Sequence, residues 1–205
     1  WVMDLIYADE QYASYEGKSY TAVIAFRIKA EHIFDLRSRI FSEVSSILDL
    51  FSITNENAKT VGDFPRLHGS DFLRDYPDKT KLAALHSVFT AVRECGGTFF
   101  RVGYFDDSTP SHFTQHQRRD FNKSAATTAI WFDLWRQDAG PAVLIFELAR
   151  TDLAKNFRSL TSKIGILHLL GESISVPLGK LAGHYFALND EIGCQIADLA
   201  AYAAL

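Results

Sequence analysis

The chain has 205 residues, of which 47% are hydrophobic and 22% charged, and its formal net charge is −4. This composition excludes a disordered chain. Because the net charge is negative, a polyanion would have to bind at a local basic patch or through a bound cation. Two cysteines, Cys95 and Cys194, cannot form a disulfide framework and suit a reducing cytoplasm.

The length fits one domain over 1–205 with a substantial core. We expect a cytoplasmic protein without a membrane helix, because no apolar run reaches the roughly 20 residues that a membrane span needs. The sequence opens with Trp1 and stops inside an apolar helix, so we expect a trimmed or incomplete chain.

The amino-terminal part predicts a β-hairpin followed by two helices. Asp4–Asp9 and Ser19–Ile28 have the composition of strands, and the polar stretch Gln11–Lys18 is predicted to connect them. Apolar residues at helical spacing predict a helix over Glu31–Phe51. A further helix is predicted to begin at Pro77 and to end before the pair Gly96 and Gly97.

The remaining part alternates between strands and helices. The predicted elements are a strand at Thr98–Phe105, a helix ending at Trp135, a strand at Ala142–Leu148, a helix from Thr151 to about Lys163, weaker strands at Ile174–Leu178 and His184–Leu188, and a final helix. A hairpin followed by alternating elements is typical of an α/β domain with a mixed sheet.

The final helix raises a question about charge. Its stretch GCQIADLAAYAAL carries one carboxylate, Asp198, on a face shared with Gln195 and Tyr202. An unpartnered charge beside the packed interior would be strongly destabilising. Asp198 is therefore bonded to a backbone amide or an arginine, protonated, or bound to a metal ion, and the residues alone leave these alternatives open.

Other carboxylates also adjoin apolar elements. Asp9 and Glu10 end the first predicted strand, and Glu147 lies inside AVLIFEL. Adjacent strand residues face opposite sides, so only one of the pair reaches a shared site, and Asp9 is favoured because it shares a face with Tyr7. If these acids met Asp198, they would suit Mg²⁺ or Mn²⁺, and two such ions about 4 Å apart support phosphodiester hydrolysis.

Four short motifs carry a resemblance to a known family. They are YADE at Tyr7–Glu10, PRLHGSDF at Pro65–Phe72, FEL at Phe146–Leu148 and CQIADLAAY at Cys194–Tyr202. With these motifs the chain resembles the domain-of-unknown-function 3800 family, which is frequent in bacterial and phage genomes. The resemblance implies a ribonuclease-H-like mixed α/β sheet with an N-terminal antiparallel hairpin, flanking helices and a C-terminal helix.

The resemblance also implies a site and an activity. The implied catalytic residues are Asp9, Glu147, Asp198 and His68, and the implied metal ligands are the three carboxylates with Glu10. The expected cofactor is Mg²⁺ or Mn²⁺, and the expected function is that of a metal-dependent nuclease. For His68, a loop-bracing role is the alternative to proton transfer.

One basic cluster is a candidate contact for the nucleic-acid backbone. It lies in SHFTQHQRRDFNK and contains Arg118, Arg119 and Lys123. The alternative is an ordinary solvated segment that leads into a helix.

Two departures from the family pattern support a second hypothesis for function. Gln11 and Tyr12 follow the Asp-Glu pair where the family usually has Ser-Gly, and Arg66 stands where a glutamate often precedes the histidine. The alternative function is therefore a non-catalytic binding domain of the same fold, acting in a defence or mobile-element system.

Overall fold

The structure is a computed structural model in which part of the chain is described. The described residues are 2–50, 67–69, 72, 74, 76–105, 111–119, 122, 125–126, 129–130, 141–147, 166–169, 172–175, 181–187 and 191–204.

A long antiparallel hairpin begins the fold. Strands β1 (Asp4–Tyr15) and β2 (Lys18–Lys29) pair along their whole length, from Asp4 with Lys29 to Tyr15 with Lys18. Glu16 and Gly17 both have positive φ, at 49° and 76°, as a type I′ two-residue turn requires. The prediction that Gln11–Lys18 forms a polar connection was wrong, because this tight turn allows the strands to continue through nearly all of it.

The hairpin is part of a five-stranded mixed sheet. Strands β3 (Thr98–Phe105) and β4 (Ala142–Glu147) join it on either side, β5 (Ile166–Leu169) and β6 (Glu172–Ser175) form a separate antiparallel pair, and β7 (Leu181–Ala187) completes the order β3-β2-β1-β4-β7. In the large sheet, β2 alone runs opposite to the other four strands. This arrangement confirms the predicted fold class: a mixed sheet with an N-terminal antiparallel hairpin.

Three α-helices that are described from end to end flank this sheet. They are α1 (Ile33–Leu50), α2 (Asp78–Glu94) and the C-terminal helix α3 (Ile192–Ala203). As predicted, glycines end α2: Gly96 has φ 75°, and its amide and that of Gly97 bond the carbonyls of Arg93 and Val92. None of the described helices is long and apolar enough to cross a membrane.

Two further predicted helices are described in part or not at all. In the helix predicted to end at Trp135, the described residues 122, 125–126 and 129–130 are helical. The helix predicted from Thr151 to about Lys163 lies outside the described residues.

The main core lies between the hairpin and the three helices. Alternation along each strand sends one set of side chains into this core, and Tyr7 of β1 stacks there beside Phe26 of β2 with ring centroids 6.1 Å apart. The helices contribute buried apolar residues, among them Leu36, Ile40, Val44, Ala84, Val88, Ile196 and Leu199. The opposite set, including Ile6, Ala8, Val23 and Ala25, is also buried. Both faces of the inner part of the hairpin are therefore covered, whereas its outer end, from Ser14 to Lys18, is exposed.

Asp4 anchors the start of β1 through a buried charge cluster. Its side chain is almost completely buried, and it accepts hydrogen bonds from Arg27 Nε and Nη2 at 3.0 and 2.6 Å. Lys29 Nζ lies 2.7 Å from its other oxygen. These contacts join the first residue of β1 to the last residues of β2.

Asp4→Ala is expected to lower the free energy of unfolding by about 1.5–3 kcal/mol, because it removes hydrogen bonds between charged groups and leaves two cations without their anion. Urea unfolding measures the change. As a matched control, Glu31→Ala removes a carboxylate that is 59% exposed and should change stability by less than about 0.5 kcal/mol. Equal effects of the two substitutions would contradict the anchoring role.

Candidate active site

The C-terminal helix begins against the centre of β1. Gly193 packs on the Tyr7 ring so closely that a Cβ at Gly193 would lie 2.3 Å from it. The Tyr7 hydroxyl donates a hydrogen bond of 3.2 Å to Glu191 Oε1, and burial, with the nearby Glu191 charge, raises the pKa of Tyr7. Since Asp9 follows Tyr7 on the same face and Asp198 lies on the following turns of α3, this packing sets the two acids against each other.

Asp9 and Asp198 form a carboxyl pair whose side chains interact. Burial, followed by the charges of Glu10 and Asp198, raises the pKa of Asp9 to about 8, and a backbone hydrogen bond from Glu10 only partly offsets this. At neutral pH Asp9 therefore keeps its proton.

The same helix face also binds the segment 67–69. Gln195 Oε1 accepts a hydrogen bond of 3.1 Å from the Leu67 amide, and Asp198 Oδ2 accepts one of 2.6 Å from the Gly69 amide. The Gln195–Asp198 spacing of three places both side chains on one face of the helix. Asp198 thus has a backbone amide partner, which is one of the alternatives left open by the sequence, and the Asp9 carboxyl group lies beside it. The role of Gln195 was not predicted, although its spacing from Asp198 was visible.

His68 lies between the two bonded amides. Its Nε2 is 4.0 Å from Asp198 Oδ2, and its side chain is 32% exposed. This distance is too long for a direct hydrogen bond and short enough for contact through one water molecule. The segment therefore carries an imidazole to the solvent side of the carboxyl pair.

Gly69 permits the close approach of this segment to α3. It is buried, and a Cβ at this position would lie 2.4 Å from Tyr202 Cβ and 2.9 Å from Tyr202 Cγ. Distances this short are far inside van der Waals contact. The glycine in LHG is therefore required for the segment to reach Asp198.

Gly69→Ala is expected to destabilise the protein by about 1–3 kcal/mol, since the added methyl group overpacks the contact with Tyr202. A double-mutant cycle with Tyr202→Gly, measured by urea unfolding, isolates this clash. The cost of Gly69→Ala should fall below about 1 kcal/mol in the Tyr202→Gly background. A cost that does not change would show that the clash is not its cause.

The other two carboxylates predicted for the site are Glu10 and Glu147. Glu10 is half-buried on the strand face opposite Asp9, and its charge acts on Asp9 without sharing that face. Glu147 is the last residue of β4. It follows Phe146, which pairs with Ala8, so the backbone of Glu147 is at the register position beside Asp9. The Glu147 carboxylate lies outside the described atoms, so its place in the site stays a prediction.

Within the described part of the chain, no three histidine, cysteine, aspartate or glutamate side chains are grouped so that they could hold a metal ion. Asp9 and Asp198 supply two carboxylates, and a complete site needs further oxygen donors. Arg66, which departs from the family pattern, lies outside the described residues.

The predicted basic cluster is a capped helix start. Thr114 and Gln117 form a reciprocal capping box, with hydrogen bonds of 2.9 and 3.3 Å, and the TQHQ pattern was a missed sequence signal for it. Arg118 donates to the carbonyls of Phe113 and Ser111, both at 3.1 Å, so it braces the segment.

Arg119 ties this segment to the hairpin. Its guanidinium lies 4.6 Å from the ring centroid of Tyr12, three residues beyond Asp9 on β1. Strand alternation gives Tyr12 the face opposite Asp9. The cation therefore lies near the strand end but not on the face of the carboxyl pair. Lys123 lies outside the described residues.

Comparison with known proteins yields a weak structural similarity. No protein-family model matches the sequence, and no curated protein matches it significantly. A crystal structure of a mutant of Bst-RNase HIII is similar to it with a TM-score of 0.42 and 12% sequence identity. The match covers 98% of this chain and 51% of that one, so this chain spans about half the length of that protein. Membership of the domain-of-unknown-function 3800 family stays a prediction.

Proposed function

We propose that this chain is a metal-dependent nuclease that hydrolyses phosphodiester bonds. The observation that carries the proposal is the proximity of Asp9 and Asp198, two half-buried carboxyl groups from distant parts of the chain whose side chains interact. Structural acids usually pair with a cation or with backbone amides. The pKa of Asp9, raised to about 8 beside a second carboxyl group, favours a site that accepts positive charge.

The donor set fits a hard divalent cation. Carboxylate oxygens are the ligands that Mg²⁺ and Mn²⁺ prefer, and a cation would take the place of the Asp9 proton. We assign Asp9, Glu147 and Asp198 as the residues that would hold it, and Glu10, on the opposite strand face, would act on the site through its charge alone. When bound, such an ion supplies activation of water and stabilisation of the leaving oxygen.

The protein contributes position and proton transfer. The amides of Leu67 and Gly69, bonded to Gln195 and Asp198, hold His68 near the carboxyl pair. His68 can exchange a proton with solvent and with the reacting oxygen from this place. Arg119, which lies beside Tyr12 of β1, and Lys123 would contact the nucleic-acid backbone.

A second function is favoured by one specific contact. The hydrogen bond from the Gly69 amide gives Asp198 a structural purpose without any metal ion. A non-catalytic binding domain of the same fold would keep Asp198 for this purpose alone. Asp9 distinguishes the two hypotheses, because the Gly69 contact does not require a second acid beside Asp198.

Cleavage and metal binding test the proposal together. Labelled RNA, single-stranded DNA and duplexes are incubated with the protein in Mn²⁺, Mg²⁺ or EDTA, and the thermal unfolding midpoint is measured in the same buffers. We expect cleavage only with a divalent ion, and stabilisation of about 2.7 kcal/mol at an ion concentration of 100 times Kd. If Mn²⁺ neither stabilises the protein nor supports cleavage of any substrate, the binding-domain hypothesis replaces the nuclease.

A further inference from the structure

We infer that a groove beside the carboxyl pair binds an unpaired nucleotide of a single-stranded nucleic acid; the inference rests on the proposed function and names its substrate class. The groove, called here the Tyr202 groove, has a volume of about 390 Å³ and lies between α2, α3 and the residues Gly69, Phe72 and Arg74. Its lining includes Gly69, Phe72, Arg74, Lys81, Leu85 and Tyr202. This volume is in the range of small-molecule pockets.

The groove offers an aromatic surface to a ligand. Tyr202 is 49% exposed, although it lies on a helix whose other large residues are buried. Leu82, 66% exposed, extends the apolar surface on the α2 side. An exposed ring above an apolar floor is the arrangement on which an unpaired base stacks, and every base has a face suited to it.

Positive charge accompanies the aromatic ring. Arg74 and Lys81 both line the groove, in a protein whose net charge is −4. Asp78 also lines it, but its side chain is 94% exposed and lies 3.6 Å from Lys81 Nζ. Exposed ion pairs of this kind are weak, so a phosphate group can replace Asp78 as the partner of Lys81. A base on Tyr202 with its phosphate near Lys81 satisfies both features.

Gly69 joins the groove to the carboxyl pair. Its amide donates to Asp198, while its Cα packs on Tyr202 at the groove. Tyr202 is four residues beyond Asp198 on α3, a rise of about 6 Å along the helix. This is close to two steps of stacked bases at about 3.4 Å each. A strand that passes the acids can therefore place a nearby base on Tyr202.

Binding of labelled single-stranded RNA and DNA oligonucleotides, in EDTA so that they stay intact, tests the groove. Tyr202→Ala keeps the Cβ that contacts Gly69 and should raise Kd about tenfold, the loss expected for one stacked base. Lys81→Gln should lower the slope of log Kd against log salt concentration by about one between about 50 and 200 mM. The matched controls are Tyr15→Ala, at the exposed hairpin turn, and Lys79→Gln, on α2 outside the groove lining.

The outcomes separate failure of the groove inference from failure of the proposed nuclease function. The groove is supported if both groove variants bind the oligonucleotides more weakly, both control variants bind like the wild type, and all four variants keep the circular dichroism spectrum of the wild type. If the wild type cleaves in Mn²⁺ while the groove variants bind as tightly as it does, the groove inference is overturned and the nuclease stands. If the wild type binds through Tyr202 and Lys81 but never cleaves, the groove stands and the nuclease fails. Binding of duplex that is as tight as that of single strands, and insensitive to Tyr202→Ala, also overturns the inference.

Discussion

Asp9→Asn and Asp198→Asn are each expected to reduce Mn²⁺-dependent cleavage by about 100-fold or more. Loss of a residue that only supports a metal ligand typically costs about 10–100-fold, and a direct ligand should cost at least the upper end of that range. Asparagine keeps an oxygen that can accept the Gly69 amide hydrogen bond, so the segment 67–69 stays in place. Initial cleavage rates measure the effect.

The control for these variants is Asp35→Asn, on an exposed position of α1, which makes the same change in net charge away from the site. It should cleave like the wild type. Both site variants should also lose most of the stabilisation by Mn²⁺. Normal cleavage by either site variant would remove that residue from the metal site, and normal cleavage by both would remove the carboxyl pair from the mechanism.

Without divalent ions, stability is expected to fall as the pH rises from about 4 to about 8. The pKa of Asp9 is raised to about 8 in the folded protein, whereas an aspartate in the unfolded chain titrates near 3.9. Between these values the folded state holds a proton that the unfolded state has lost, so each added pH unit favours unfolding. The loss should reach several kcal/mol near pH 8 and then level off.

Urea unfolding in EDTA, at intervals between about pH 5 and 9, measures this dependence. Asp9→Asn cannot ionise, so its stability should exceed that of the wild type by an amount that grows with pH up to about 8. Because a metal ion displaces the proton, Mn²⁺ should stabilise the wild type more strongly at higher pH. A difference between wild type and Asp9→Asn that stays constant with pH would contradict the raised pKa.

Local sequence patterns predicted several elements with accurate boundaries. Thr98–Phe105 is a strand over the predicted residues, and α2 begins after Pro77 and ends before Gly96. These features depend on the conformational preferences of proline, glycine and β-branched or aromatic residues, which act over a few positions. The strand Ile166–Leu169 was not predicted, because four residues give too little periodicity to recognise.

The hairpin shows where local pattern fails. The polar residues from Gln11 onward suggested a connecting loop, yet they form the outer half of β1. What decides the strand length is the pairing with β2 and the turn at Glu16 and Gly17, both with positive φ. Cross-strand hydrogen bonds satisfy the backbone whether or not the side chains are apolar.

For the site, the sequence by itself determined which residues needed an explanation. Asp198 in an apolar helix had to find a partner, because a buried charge without one is strongly destabilising. Only the tertiary structure decided which partners it has: the Gly69 amide and the Asp9 carboxyl group. The reason is physical. The free-energy cost of burying a charge depends on one side chain and the element that carries it. The pairing of Asp198 with other residues depends on how α3 packs on β1, through the contact of Gly193 with Tyr7. No local sequence pattern contains that contact.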